Sequence, residues 1–118
     1  MKHLQFFSIL FFLPLTVLAQ APAGGDPAAG KGSFDLFCAT CHGPTGVGDG
    51  PGATALNPKP RNLQQTTRTD DELKKIIKEG GASVGMSPLM VAWGGVLSDA
   101  DIANVVAYIR TLAKPKAP

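Results

Sequence analysis

Between Gly43 and Pro60, nine of eighteen residues are glycine or proline. Glycine raises the entropic cost of order, and proline removes backbone donors that helices and sheets need. Such density predicts no regular element across the stretch. A long irregular loop is uncommon inside a small domain unless it has a task. This chain is therefore expected to wrap a loop around something, not to build a ladder of strands.

The residues just before the loop supply a candidate. Positions 38 to 42 read C-A-T-C-H. Two thiols three apart, with an imidazole directly after the second, match the attachment motif of a c-type haem. On a helix, positions three and four apart share a face. Cys38 and Cys41 then point the same way, with His42 close to that face. Two thiols so placed can add to the two vinyl groups on one edge of a haem, and the same turn brings His42 under the iron. A flat cofactor is a suitable object for the following loop to wrap.

Cys38 and Cys41 are the only cysteines of the 118 residues. A disulfide between them would close a tiny loop and add little stability, so chemistry is the better use for the pair. C-x-x-C also marks dithiol redox sites, but these need a βαβ context that is missing here. A structural zinc site needs four nitrogen or sulfur ligands, and this chain offers two thiols and one adjacent imidazole.

Residues 1 to 19 resemble an export signal. Lys2 is followed by a mostly apolar run from Leu4 to Leu18, and V-L-A at 17 to 19 suits cleavage after Ala19. The run is too short for a spanning helix, which needs roughly 20 apolar residues. The expected mature protein is soluble and periplasmic, with 10 basic and 9 acidic residues. Near-neutral charge argues against nucleic acid as a partner. Residues 20 to 29 read as a flexible Ala/Pro/Gly leader, 30 to 113 as the domain and 114 to 118 as a tail.

Three main helices are expected. Asp26-Pro27 is a helix start, and Gly30, Phe34, Phe37, Cys38 and Cys41 recur at helical spacing up to Gly43-Pro44. Thr69 and Glu72 make a capping-box pair, Leu73, Ile76 and Ile77 an apolar face, and Gly80-Gly81 a stop. Lys74, Lys75 and Lys78 on this helix read as a solvated face more readily than as a docking patch. Ser98 can cap a last helix that runs to about Ala113, with Ile102, Val105, Val106, Ile109 and Leu112 as its stripe. The loop from Ala82 to Leu97 precedes it. No strand pattern and no repeat is visible.

Counting ligands narrows the iron site. The only other histidine, His3, lies in the signal, so one mature chain offers His42 alone as imidazole. The sixth ligand is Met86 or Met90, or the position is open, as in a haem enzyme or gas sensor. A methionine opposite histidine raises the potential of a haem. Pro88 keeps the two methionines off a shared helical face, and spacing does not choose between them.

Residues 30 to 113 resemble the class I (monohaem) cytochrome c family. M-V-A-W-G-G-V-L-S-D at 90 to 99 is similar to that family's axial segment, with Val91 in place of the usual proline, and A-N-V-V-A-Y-I-R at 103 to 110 is similar to its last helix. The resemblance implies an all-α fold, three main helices with long loops around one covalently bound haem. It implies Met90 as the sixth ligand, with Met86 as a gap filler. It implies a crossing of the first and last helices at Gly30, Phe34 and Tyr108. It also implies that Pro58 or Pro60 offers the carbonyl that accepts a bond from His42. Arg61 is a candidate partner for a haem propionate, and Trp93 for lining the pocket. The implied function is electron transfer between redox proteins, such as a dehydrogenase, an oxidase or a bc-type complex. No catalytic residue and no small-molecule substrate are expected, and the protein is expected to be a monomer.

Overall fold

The computed structural model describes residues 24–114. The expected export signal, the first four residues of the leader and all but the first residue of the tail lie outside them. Among the described residues there are four α-helices, three 3₁₀ turns and no strand. The helices are α1 (Pro27–Phe37), α2 (Ala39–His42), α3 (Asp70–Glu79) and α4 (Asp99–Leu112). The all-α expectation holds, and α1, α3 and α4 are the three main helices.

α1 begins where Asp26 and Pro27 direct it. The Asp26 side chain accepts the N–H of Ala28 at 2.9 Å, and Pro27 occupies the first turn. α1 thus starts at Pro27, three residues inside the stretch read as leader. The expected single helix to Gly43 is corrected: α1 ends at Phe37. Cys38 has φ −109° and ψ −37°, and one further turn, α2, carries the rest of the motif. The loop that follows holds this turn. Gly48 N–H donates to the His42 carbonyl at 2.7 Å and Gly50 N–H to that of Cys41 at 3.1 Å. A Cβ on Gly50 would lie 2.3 Å from the Thr40 carbonyl oxygen, so only glycine lets the loop approach so closely.

The Gly/Pro stretch is also less irregular than expected, because residues Pro51–Ala55 form a 3₁₀ turn. The tighter i to i+3 pattern needs few consecutive donors, and Pro51 begins it without using its own. Two more such turns, Leu63–Gln65 and Gly81–Val84, interrupt the other loops.

α3 and α4 carry complete capping boxes. Glu72 N–H donates to Thr69 Oγ1 at 3.2 Å, and Thr69 N–H donates to Glu72 Oε2 at 2.8 Å. Ser98 and Asp101 repeat the arrangement on α4. Gly80, with φ +86°, ends α3.

α1 crosses α4 at the residues that the family resemblance implied. A Cβ on Gly30 would stand 1.9 Å from the Asn104 carbonyl oxygen, so the two backbones are in direct contact. Phe34 meets Tyr108 edge to face, ring centroids 5.1 Å apart. Phe34 and Val105 are fully buried, with Ile102, Val106 and Ile109 beside them. Each such side chain contributes about 1.5–3 kcal/mol of hydrophobic stabilisation. Leu73 and Ile77 of α3 join this core from a second side.

Candidate functional site

A cavity of about 1030 Å³ opens between α1, α3 and the two long loops. It lies at the upper end of the range for cofactor pockets, about 300–1,000 Å³. Cys38, Cys41 and His42 line it, and so do Met86 and Met90. Phe34, Leu73, Ile77 and Ile109 give it apolar walls.

On the motif side, the His42 ring is fixed by a backbone group. Its Nδ1 lies 3.1 Å from the carbonyl oxygen of Arg61. A carbonyl only accepts, so Nδ1 carries the hydrogen and Nε2 keeps its lone pair. Burial pushes the His42 pKa below its ordinary value, and the Arg61 bond opposes this only in part. The ring is therefore neutral near pH 7 and suited to donate to a metal. The expectation of a Pro58 or Pro60 acceptor is corrected. Both prolines line the cavity, but Pro60 turns its carbonyl towards Gly48, where a Cβ would lie 2.4 Å from the oxygen.

Cys38 is buried and Cys41 half-buried, and both are free thiols. Burial, with a smaller contribution from Cys41, pushes the Cys38 thiol up to about 11. Dithiol redox catalysis needs the opposite, a thiolate favoured near neutral pH. Nor do the described residues contain a group of three or more His, Cys, Asp or Glu arranged to hold a metal ion. Two free thiols on the wall of a large cavity fit covalent attachment of a haem, and the neutral imidazole beside them suits an iron ligand.

The other side is built from the segment after α3. Gly81 N–H donates to the Met90 carbonyl at 2.8 Å, and Met86 N–H donates to the Gly81 carbonyl at 2.9 Å. Trp93 N–H donates to Ile77 at 2.8 Å, which ties the segment to α3. The Trp93 ring lies against Phe37, centroids 5.4 Å apart, and lines the cavity as the sequence suggested. Met90 packs against the hydrophobic core. Met86 does not join it; its sulfur lies 3.8 Å from Nη2 of Arg68.

Arg61 is exposed and lines the cavity. Arg68 lines it too, and sequence reasoning missed it. Arg68 also pairs with Glu72 at 2.9 Å, and its carbonyl accepts from Arg110 Nη2 at 2.6 Å. Arg68 stands one residue before the Thr69 cap, where the sequence gives no sign that its side chain reaches a cavity wall.

Lys74, Lys75 and Lys78 border a separate groove of about 350 Å³ between α3 and α4. Each has a carboxylate within 4.0 Å, respectively Asp71, Glu79 and Asp99. This pairing suits a solvated face.

Comparison with known proteins points one way. A family model described as Cytochrome c matches residues 27–113. Cytochrome c-554(547) of Halothiobacillus neapolitanus is 34% identical, with 75% of this chain and 98% of that protein covered. Cytochrome c6 of Picosynechococcus is 36% identical, over 89% of this chain and 94% of its own length. The cbb3-type cytochrome c oxidase subunit FixP of Azorhizobium caulinodans is 36% identical, over 73% of this chain but 29% of its own length. Among solved structures, a reducing HAO-like protein complex of Kuenenia stuttgartiensis superposes with a TM-score of 0.62 at 25% identity. That match covers 80% of this chain and 45% of the other.

Proposed function

The chain belongs to the cytochrome c family, and from that premise we propose that it is an exported, soluble carrier passing single electrons between protein partners. Membership implies a haem-based electron carrier with a covalently bound c-type haem, and Cys38 and Cys41 have the spacing of its attachment motif. When bound, that haem supplies a one-electron Fe(II)/Fe(III) couple.

The carrying observation is the distribution of donors around one cavity. Cys38 and Cys41 anchor the ring by thioethers. His42, its Nδ1–H held by Arg61, presents Nε2 as proximal ligand. Met90, seated against the core, would hold the iron from the opposite side. With His42 and Met90 both holding it, the group would supply electron transfer to protein partners and leave no site for a substrate. The Arg61 guanidinium pairs with a propionate at the cavity rim. Residues 1–19 direct the chain to the periplasm and are removed after Ala19. The fold then works as a monomer. No helix of the described residues is long and apolar enough to cross a membrane, which agrees with a carrier in solution. The oxidase-subunit relative favours a respiratory dehydrogenase, oxidase or bc-type complex as partner.

The test begins with protein purified from the periplasm and then denatured. Haem colour is expected to stay with the polypeptide; complete extraction of haem into organic solvent would refute covalent attachment. In the native ferric protein, a far-red sulfur-to-iron band is expected and should persist in Met86→Ala. Tight binding of carbon monoxide by the native ferrous protein would instead show an open sixth position.

A further inference from the structure

Two methionines line the cavity, and the function above uses one. Their placement around Gly81 is unusual in its closeness. A Cβ built on Gly81 would lie 3.2 Å from the Met90 Cβ and 3.4 Å from the Met86 Cβ. Both side chains thus leave the backbone beside the same point. The Met86 N–H bond to Gly81 and the Gly81 N–H bond to Met90 fix that juxtaposition through the main chain.

The two sulfurs are held differently. Both methionines are half-buried, but Met90 packs against the hydrophobic core, whereas the Met86 sulfur faces the Arg68 guanidinium at 3.8 Å. A thioether is a weak acceptor, so this contact restrains Met86 without locking it. Methionine has three rotatable bonds and adapts its reach readily. The backbone before it also has room. Gly85 adopts φ +72°, and a Cβ there would meet nothing within 4 Å. Arg68, by contrast, is fixed at both ends. Glu72 binds its guanidinium at 2.9 Å, and Arg110 binds its carbonyl at 2.6 Å.

We propose that Met86 is a reserve sixth ligand, parked on Arg68 while Met90 holds the iron and able to replace it when Met90 is lost. The exchange moves one sulfur for another, with no change in the charge or protonation of either side chain. It keeps a soft ligand opposite His42 and preserves the closed site that an electron carrier needs. The inference rests on the assignment of Met90 as the resident ligand, and the experiment keeps the two claims apart.

The experiment records the far-red sulfur-to-iron band of the ferric holoprotein in four variants. Met86→Ala is expected to keep the full band, and its loss there would overturn the assignment of Met90 itself. Met90→Ala is expected to keep a weaker band, and the double variant Met86→Ala/Met90→Ala to lose it. If Met90→Ala alone loses the band completely, the reserve ligand is refuted while the assignment of Met90 stands. Arg68→Ala added to Met90→Ala is expected to strengthen the band relative to Met90→Ala alone. An unchanged or weaker band there would refute the parking role of Arg68. Carbon monoxide binding gives an independent reading, tight in the double variant and weak in Met90→Ala.

Discussion

The crossing of α1 and α4 and the segment from Gly80 to Leu97 lie in one small domain but are held by different means. At the crossing, shape decides. Phe34, Ile102, Val105 and Val106 are under 2% exposed, and Gly30 leaves no room for even a methyl group. In the segment, Leu97 is buried, but Leu89, Val91 and Val96 are 47%, 53% and 65% exposed. Main-chain bonds from Gly81, Trp93 and Gly94 fix its course. The protein's own core thus specifies the crossing. The segment takes its course from backbone bonds, with few of its side chains in the core. Such a division lets the loop that carries Met86 and Met90 vary without loosening the frame.

Substitutions can test that contrast, and the largest effect belongs to the crossing. Phe34→Ala should destabilise the holoprotein by about 3–5 kcal/mol in urea unfolding, since a fully buried aromatic leaves a cavity. Thr69→Ala should cost about 1 kcal/mol by removing one half of the α3 capping box. Leu89→Ala should change stability by no more than about 0.5 kcal/mol, as expected of an exposed side chain. A loss at Leu89 comparable to that at Phe34 would break the contrast. Lys78→Ala should leave the midpoint nearly unchanged, because its pair with Asp99 is exposed and screened by salt.

Acid should act on the helix starts before it acts on the crossing. Glu72 has its pKa lowered by the Thr69 backbone N–H and then by Arg68, and Asp101 by the Ser98 hydroxyl and N–H. A carboxylate with a lowered folded pKa contributes stability above its ordinary value, here 4.5 and 3.8. That contribution is lost as pH falls through the lowered folded value. Glu72→Gln should therefore lower stability at neutral pH and flatten its fall below about pH 4.5.

Side-chain chemistry made much of this legible in the sequence. Thr69, Glu72, Gly80 and Ser98 mark helix ends through their own caps, and the stripe from Ile102 to Ile109 declares a buried face. Cys38, Cys41 and His42 are legible because spacing and residue type coincide. The break at Cys38 was not, since no glycine or proline stands there and the turn is secured by glycines further along the chain. Arg68 was hidden because it stands in the loop just before the Thr69 cap, and only the folded chain brings it to the cavity wall. The carbonyl that holds His42 was misplaced by one residue from Pro60, since a main-chain oxygen has no signature in the sequence.

That last bond has a consequence for how this site can change over time. Every amino acid carries a carbonyl, so no substitution at position 61 can delete the acceptor of the His42 Nδ1–H; only a shift of the backbone can. A change of charge or size at position 61 leaves that acceptor of the His42 imidazole in place. Arg61→Ala would remove a guanidinium from the rim and leave the histidine's tautomer untouched. Robustness in the orientation of His42 is thus inherited from the main chain, whatever side chain stands at the rim.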